Sequence, residues 1–241
     1  MIFNLFKSKP TLKELIPKGF VDIHSHVLPG IDDGAKNVEE SIELINNMKE
    51  MGFSKIIGTP HTYMGLYNNT NTTIKNSYNS IVNHFDNNTI IEYASEYFLD
   101  DSIIEKSEKK TLLCLKDNYV LVETSFLSPV KNIFDIIFKL KLNDYIPIIA
   151  HPERYKYWKT KREFEKLKRM GCKFQINLFS TIGYYGVEIV KMSDFLLRNN
   201  FVDYVGSDIH KLKQISLFQQ KLKIREINKL KKAIESNKEF N

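Results

Sequence analysis

No apolar run in this chain approaches the roughly 18–20 residues needed to cross a bilayer, so the sequence contains no candidate membrane-spanning helix. The opening residues, Met1 to Lys9, place their lysines after a short apolar stretch. A secretory leader has the reverse order, a longer apolar region and a small-residue cleavage site, so export is not expected and the cytoplasm is the expected compartment. Cysteine is scarce. Cys114 and Cys172 stand far apart in strand-like segments and read as reduced, buried thiols rather than a disulfide or a metal pair. No glycine-rich loop follows the first expected strand, which removes support for a dinucleotide-binding or P-loop fold. Internal repeats, linkers and low-complexity segments are also missing, which points to a single globular unit.

Positive charge is in modest excess, 35 Lys+Arg against 29 Asp+Glu, for a net +6. Much of that excess lies in two lysine-rich helical stretches, Lys156–Lys173 and Lys211–Lys238, where it reads as solvated helix faces. Without a nucleic-acid motif or aromatic residues interleaved with basic ones, a nucleic-acid partner is not expected. The 241 residues, 42% of them apolar, suffice for a sizeable core. Residues 1–17 read as an N-terminal arm and 18–241 as one domain. The apolar start, Met1-Ile-Phe-Asn-Leu-Phe6, is suited to packing on the domain, on a second subunit or on a membrane surface.

Hydrophobic periodicity predicts strands at 19–23, 55–58, 89–94, 119–123, 145–150, 173–177 and 202–205. Between them, helical spacing predicts helices at 37–51, 72–85, 130–142, 161–170 and 187–199, with a helical tail at 214–236. Seven strands without hairpin-length connections imply parallel pairing. An open doubly wound sheet and a barrel both fit, and the polar residues decide between them. His24 and His26 follow the first strand, His61 the second and Glu96 the third; Glu123 ends the fourth, His151 follows the fifth, and Asp208 and His210 follow the seventh. Barrels collect their chemistry in this way, at the C-terminal ends of many strands around one rim. The expected fold is therefore an α/β, seven-stranded TIM-like (β/α) barrel.

Five of the six histidines follow strands; the sixth, His84, falls in a helix and reads as a partly exposed helix residue. In Asp22-Ile-His24-Ser-His26 the two imidazoles, at i and i+2 on an extended segment, reach one side and can share an ion. Neutral imidazole suits divalent Zn, Mn and Fe. Asp32-Asp33-Gly34, in the loop after this pair, can fold back over the same rim. Glu96 and Glu123 stand at the ends of apolar strands, where a carboxylate is costly unless paired or metal-bound. Asp208 and His210 leave the last strand on one side. So many ligand-type residues exceed the needs of one ion, and two or three divalent ions bridged by carboxylates are expected. In His151-Pro-Glu-Arg154, Arg154 is suited to bidentate binding of phosphate oxygens, whereas Glu153 reads as structural.

The segments Asp22-Ile-His-Ser-His-Val-Leu-Pro-Gly-Ile-Asp-Asp-Gly-Ala35, Gly58-Thr-Pro-His61, Glu96, Val122-Glu123, Ala150-His-Pro-Glu-Arg154 and Gly206-Ser-Asp-Ile-His210 carry a resemblance. The chain resembles the polymerase and histidinol phosphatase (PHP) superfamily. Within it, the chain is similar to the bacterial protein-tyrosine phosphatases of capsule and exopolysaccharide loci. That resemblance implies a distorted seven-stranded barrel, three divalent ions, often Mn²⁺ (with Zn²⁺, Fe²⁺ or Mg²⁺ as alternatives), and hydrolysis of phosphotyrosine. Its implied partner is the phosphorylated C-terminal tail of a membrane-associated tyrosine autokinase, placing the protein in the cytoplasm near the inner membrane surface. By motif, it implies one ion on His24, His26, Glu96 and Asp208. A second would share Glu96 and take Glu123 and His151, and a third would use Asp33, His61 and His210. Relatives usually carry a second phosphate-binding arginine just past the last motif. Here Lys211 and Lys213 stand in that stretch and are its candidate substitutes, as point charges without the bidentate fork.

The expected chemistry is direct hydrolysis, with Arg154, Asp208 and His210 as catalytic candidates and Arg154, Lys211, Lys213 and Tyr184 as substrate-binding candidates. Neither cysteine is followed by an arginine at the Cys-x5-Arg spacing, which argues against a phosphocysteine route. Tyr184 and Tyr185 are candidates to stack on a phosphotyrosine ring. Competing readings are a small-molecule phosphomonoesterase of the histidinol-phosphatase type, a non-catalytic phosphopeptide-binding regulator, and a nuclease.

Overall fold

A computed structural model describes residues 8–85 and 89–241. The segment Met1–Phe6, read above as an apolar arm, lies outside the described residues. In chain order the elements are α1 (Leu12–Leu15), β1 (Phe20–Ser25), α2 (Val38–Glu50), β2 (Phe53–Gly58), β3 (His61–Thr62), α3 (Asn71–Asn79), β4 (Ile90–Tyr93), β5 (Glu96–Phe98) and α4 (Asp101–Glu108). They continue with β6 (Tyr119–Glu123), α5 (Ile133–Leu142), β7 (Ile146–Ala150), α6 (Lys161–Arg169), β8 (Lys173–Asn177), α7 (Val187–Arg198), β9 (Tyr204–Gly206) and α8 (Ile227–Ser236). Short 3₁₀ turns fill several connections, among them 152–154, 178–182 and 212–219.

Every strand pairing is parallel, in two sheets ordered β1-β2-β4 and β3-β5-β6-β7-β8-β9. In place of seven uninterrupted strands there are nine segments among the described residues. The second and third expected strands, 55–58 and 89–94, are β2 and β4; each is followed, past a break at Thr59-Pro60, where proline has no N–H to give a ladder, or at Ala94-Ser95, by an unanticipated short strand, β3 or β5. Hydrogen bonds cross both breaks: Ala94 N donates to Gly58 O at 2.9 Å and Glu96 N to Pro60 O at 3.1 Å. The other edges meet too, through Asp208 N to His24 O at 2.8 Å and His26 N to Ile209 O at 2.9 Å.

Strand alternation sorts the side chains into two cores. Val21, Ile23, Ile57, Leu121, Ile148 and Ala150 form a compact interior cluster, closed by Tyr204 and Phe240. Their strand neighbours Phe20, Ile56, Val120, Val122, Ile149, Phe174 and Ile176 pack outward against the helices, including Leu44, Ile45 and Met48 of α2. Glu123 is two residues beyond Leu121 and Glu96 two beyond Ala94, so period-2 geometry carries both carboxylates to the end of the interior face.

Two helix expectations need correction. The tail 214–236 is not one helix: the 3₁₀ turn at 212–219 gives way to extended backbone before α8. The segment cannot continue as helix because its peptide groups are engaged elsewhere. Leu12 N donates to Gln220 O and Leu222 N to Pro10 O, both at 3.0 Å, while Lys223 N donates to Thr181 O at 2.8 Å. These bonds tie residues 10–12 to the body, and Leu12, Leu15 and Ile16 are buried there. The expected helix 72–85 ends at Asn79, where Ser80 Oγ donates to Ser77 O, and resumes only as a 3₁₀ turn at 82–84. Helix α4, capped by the Asp100 carboxylate on Ser102 N at 2.8 Å, was not anticipated.

Candidate metal centre

The strand ends converge on one buried cluster. His24 and His26 turn their Nε2 atoms to within 3.3 Å of each other. Glu96 Oε2 lies 3.2 Å from His24 Nε2, 3.4 Å from His26 Nε2 and 3.1 Å from His61 Nδ1, while its Oε1 is 3.0 Å from His151 Nε2. Glu123 Oε1 approaches His61 Nδ1 to 2.9 Å. Asp208 Oδ1 is 3.4 Å from both His24 and His26. Asp33 Oδ1 faces His61 Nε2 at 3.6 Å and His210 Nε2 at 3.5 Å. All nine candidate ligands therefore stand together, drawn from six different strand exits and one loop.

The backbone is bent to reach this arrangement. His151 (φ 36°) and Asp208 (φ 53°) occupy the left-handed region, unfavourable for side chains with a Cβ and concentrated at functional sites. Gly34 lets the Asp32-Asp33 loop fold against β1; a Cβ there would stand 2.1 Å from His26 O. Gly206 does the same on β9, where a Cβ would meet His24 Cβ at 2.6 Å.

The chemistry of the donors fits divalent ions. His26 Nδ1 donates to Asp32 Oδ2 at 2.7 Å, His24 Nδ1 to Gln175 Oε1 at 2.8 Å, and His210 Nδ1 to the Asp208 carbonyl at 2.9 Å. With Nδ1 holding the proton, each Nε2 presents its lone pair to the cluster, as in ligating histidines whose other nitrogen is hydrogen-bonded. Glu96 Oε2 and His61 Nδ1 are buried and make no aligned hydrogen bond, although carboxylate and imidazole atoms crowd both. Such orphaned atoms are costly unless something else satisfies them. Ligand atoms within 4.8 Å of one another fall into three overlapping groups: His24, His26 and Glu96; His61, Glu96 and Glu123; and His26, Asp33, His61 and His210.

Electrostatics within the cluster are strongly coupled. Burial opposes charge on His24 and His26, but the carboxylates of Glu96, Asp208 and Asp32 outweigh it and raise both imidazoles. His61 is lifted to about 10: burial works against this, and Glu96 and Glu123 overcome it. Burial likewise opposes ionisation of Glu96 and Asp208, yet the surrounding imidazoles hold both well below the usual carboxylate range. The hydrogen bond with His210 holds Asp33 low.

Arg154 stands beside the cluster. Its guanidinium donates to Asp208 Oδ2 at 3.2 Å and is sandwiched between the rings of Phe126 (4.4 Å) and Tyr185 (4.3 Å). Asp208 thus divides its oxygens, Oδ1 toward the histidines and Oδ2 toward Arg154, Asn177 and Tyr185. Of the tyrosine pair, Tyr185 is the one against Arg154; Tyr184 is half exposed and packs edge-on to Tyr185. Lys211 and Lys213 are exposed at the start of the 3₁₀ turn past His210, and His84 is exposed on its own 3₁₀ turn. Glu153 is buried and accepts from Asn177 N at 2.9 Å and Ser180 Oγ at 2.6 Å, a structural tie at the exit of β8.

Three supporting residues escaped the sequence reading, Gln175, Asn177 and Phe126; Asp32 was expected at the rim, but not as the partner of His26 Nδ1. Gln175 and Asn177 did carry a signal. They are polar at alternate positions of a strand whose intervening residues, Phe174 and Ile176, are apolar. Both prove fully buried, at the inner end of β8. Phe126 has no pattern to mark it.

Frame and cluster together define a class, a parallel α/β protein whose strand ends carry a histidine–carboxylate centre flanked by an aromatic-clamped arginine. Residues 20–229 match the family described as capsular polysaccharide synthesis, CpsB/CapC, and the chain belongs to that family. It is 30% identical over 198 residues to the tyrosine-protein phosphatase YwqE of Bacillus subtilis, covering 80% of this chain and 78% of YwqE. It is 29% identical over 202 residues to the tyrosine-protein phosphatase CpsB of Streptococcus pneumoniae, covering 80% and 83%. Among solved structures, one from work on B. subtilis YwqE and S. pneumoniae CpsB, described as unique metal-dependent tyrosine phosphatases, superposes with a TM-score of 0.77 at 28% identity, covering 88% of this chain and 86% of the other. A phosphotriesterase homology protein from Escherichia coli, at TM-score 0.50 and 13% identity with 85% and 87% coverage, shares the fold alone.

Proposed function

We infer that this protein is a metal-dependent protein-tyrosine phosphatase that removes phosphate from a tyrosine autokinase controlling capsule or exopolysaccharide synthesis. The observation that carries this reading is the convergence of five histidines and four carboxylates on one buried rim, with Arg154 clamped beside Asp208. Kinship with tyrosine phosphatases of the same family and architecture supports it. The nine strand segments are read as seven staves of a distorted barrel, β2 with β3 and β4 with β5 each forming one stave. The domain spans 18–241, with 1–17 as its arm.

His24, His26, Glu96 and Asp208 would hold one divalent ion, Glu96, Glu123 and His151 a second, and Asp33, His61 and His210 a third. Mn²⁺ is the proposed metal. Bound ions supply Lewis-acid neutralisation of the phosphoryl oxygens and lower the pKa of the attacking water. Arg154 binds two phosphate oxygens with its planar fork and neutralises charge as it shifts to them in the transition state. Phe126 and Tyr185 fix the plane of that fork and flank the position of the substrate ring. Tyr184 adds an outer aromatic wall, and Lys211 and Lys213 draw the phosphate by charge. Asp32, Gln175 and the Asp208 carbonyl keep the Nδ1 protons of His26, His24 and His210 in place. The substrate is the kinase's phosphorylated tail, met in the cytoplasm at the inner face of the membrane; no helix among the described residues is long and apolar enough to cross it.

The test combines metal analysis with turnover. Chelation should abolish hydrolysis of p-nitrophenyl phosphate and of a tyrosine-phosphorylated kinase tail, and Mn²⁺ should restore both. Full activity in metal-stripped protein overturns the reading, and preference for histidinol phosphate over the phosphotyrosyl tail would reassign the substrate.

A further inference from the structure

A cavity of about 510 Å³ opens beside Arg154 and a second, of about 570 Å³, adjoins it, with Lys156, Tyr185 and Ile189 lining both. Together they form one groove leading away from the phosphate clamp. Its walls are apolar to an extent unusual for a solvent-facing surface: Phe126 is 40% exposed, Leu127 94% and Val187 65%. The charged groups along it are accounted for, with the exception of two lysines. Arg154 is bound to Asp208, Glu153 is buried on Ser180 and Asn177, and Glu188 is paired with Lys191 at 2.8 Å. Lys159 gives Glu163 only its backbone N–H, at 2.9 Å, and its exposed ammonium makes no ion pair among the described residues; it lines only the second cavity, the one Arg154 does not line. Lys156 is exposed where the two cavities meet and has no acidic partner among the described residues.

We propose that Lys156 is a specificity-determining residue, reading a carboxylate in the peptide that flanks the phosphotyrosine, while Leu127 and Ile189 take a neighbouring apolar side chain. This rests on the phosphatase reading above. Three features favour a peptide as occupant. The groove is continuous with the clamp, most of its exposed lining is apolar, and its uncompensated charges, Lys156 beside the clamp and Lys159 farther out, are both positive. A bare phosphomonoester would reach Arg154 without entering it. Lys156 is two residues from Arg154, and an extended peptide advances about 3.3 Å per residue, so the carboxylate belongs within about three residues of the phosphotyrosine.

The experiment uses the full chain loaded with Mn²⁺ and phosphotyrosine heptapeptides carrying Glu or Gln at each of the three positions on either side. The ratio of kcat/KM for the best Glu peptide to its Gln counterpart should exceed one in the wild type. It should fall about fivefold or more in Lys156→Glu, since an exposed ion pair contributes up to about 1 kcal/mol and reversal adds repulsion. Lys156→Gln should bring the ratio close to one, and raised salt should erode it in the wild type. Anisotropy of a labelled peptide, read without turnover, should show the same order of affinities. Ile189→Asp should weaken every heptapeptide more than it weakens p-nitrophenyl phosphate. A Glu/Gln ratio unchanged by both Lys156 substitutions overturns the inference while leaving the phosphatase reading intact. Absence of wild-type turnover on every phosphate ester would instead overturn that reading.

Discussion

Replacing Arg154 probes the site at the point where geometry and chemistry meet. The guanidinium is held by one hydrogen bond to Asp208 and by two aromatic faces at 4.3 and 4.4 Å, so its plane is set before substrate arrives. Arg154→Ala removes a preorganised donor pair aimed at developing negative charge. Losing one such donor costs about 2.7–4 kcal/mol in the transition state, or about 10²–10³ in rate. Arg154→Lys keeps the charge but not the fork or its stacking, and should recover about one tenth to one hundredth of wild-type kcat/KM. The assay is steady-state turnover of a phosphotyrosyl peptide, with metal content measured on the same samples by mass spectrometry. Metal content should be unchanged, because Asp208 keeps Asn177 as a partner on Oδ2 and faces the histidines through Oδ1. An Arg154→Ala enzyme within about threefold of wild type, fully metallated, would refute the assignment of Arg154 as the phosphate clamp.

Asp32→Asn should weaken Mn²⁺ binding about 10- to 100-fold, the usual loss when the partner of a ligating histidine is altered, measured by competition with a fluorescent chelator. Because His61 sits at about 10, an ion that takes it must displace a proton. Calorimetry in buffers of different ionisation enthalpy should record proton release at pH 7, and Mn²⁺ affinity should rise about tenfold per pH unit for each proton displaced; affinity flat between pH 6 and 8 would contradict the coupling. Gly206→Ala forces a Cβ against His24 and should lower both Tm and metal content, whereas a variant with native Tm and full metal would show that the strands yield there at little cost.

How far the sequence could be read is clearest at particular residues. Six strand exits announced themselves because a histidine or carboxylate interrupts an apolar run, and burial makes that pattern expensive unless it serves a purpose. The short strands β3 and β5 were less legible: two and three residues are too few to show a period-2 pattern. The tail read as continuous helix because its lysines and leucines have helical spacing. Its break comes from the pairing of 220–222 with residues 10–12, about two hundred positions away in sequence. Tyr184 and Tyr185 are indistinguishable as neighbours in a loop; only the rotation of the chain after the 3₁₀ turn at 178–182 turns Tyr185 to Arg154.

By itself, then, the sequence determined the parallel α/β class and marked the candidate ligands and the candidate phosphate-binding arginine that the fold brings together. Each depends on residue type and short-range spacing, which period-2 strands transmit directly. Tertiary structure alone decided which imidazole nitrogen faces the cluster, that Asp208 divides its two oxygens between the histidines and Arg154, and that an apolar groove with two uncompensated lysines leads away from Arg154. Those features arise from side chains remote in sequence meeting at one rim, and no local pattern encodes such a meeting.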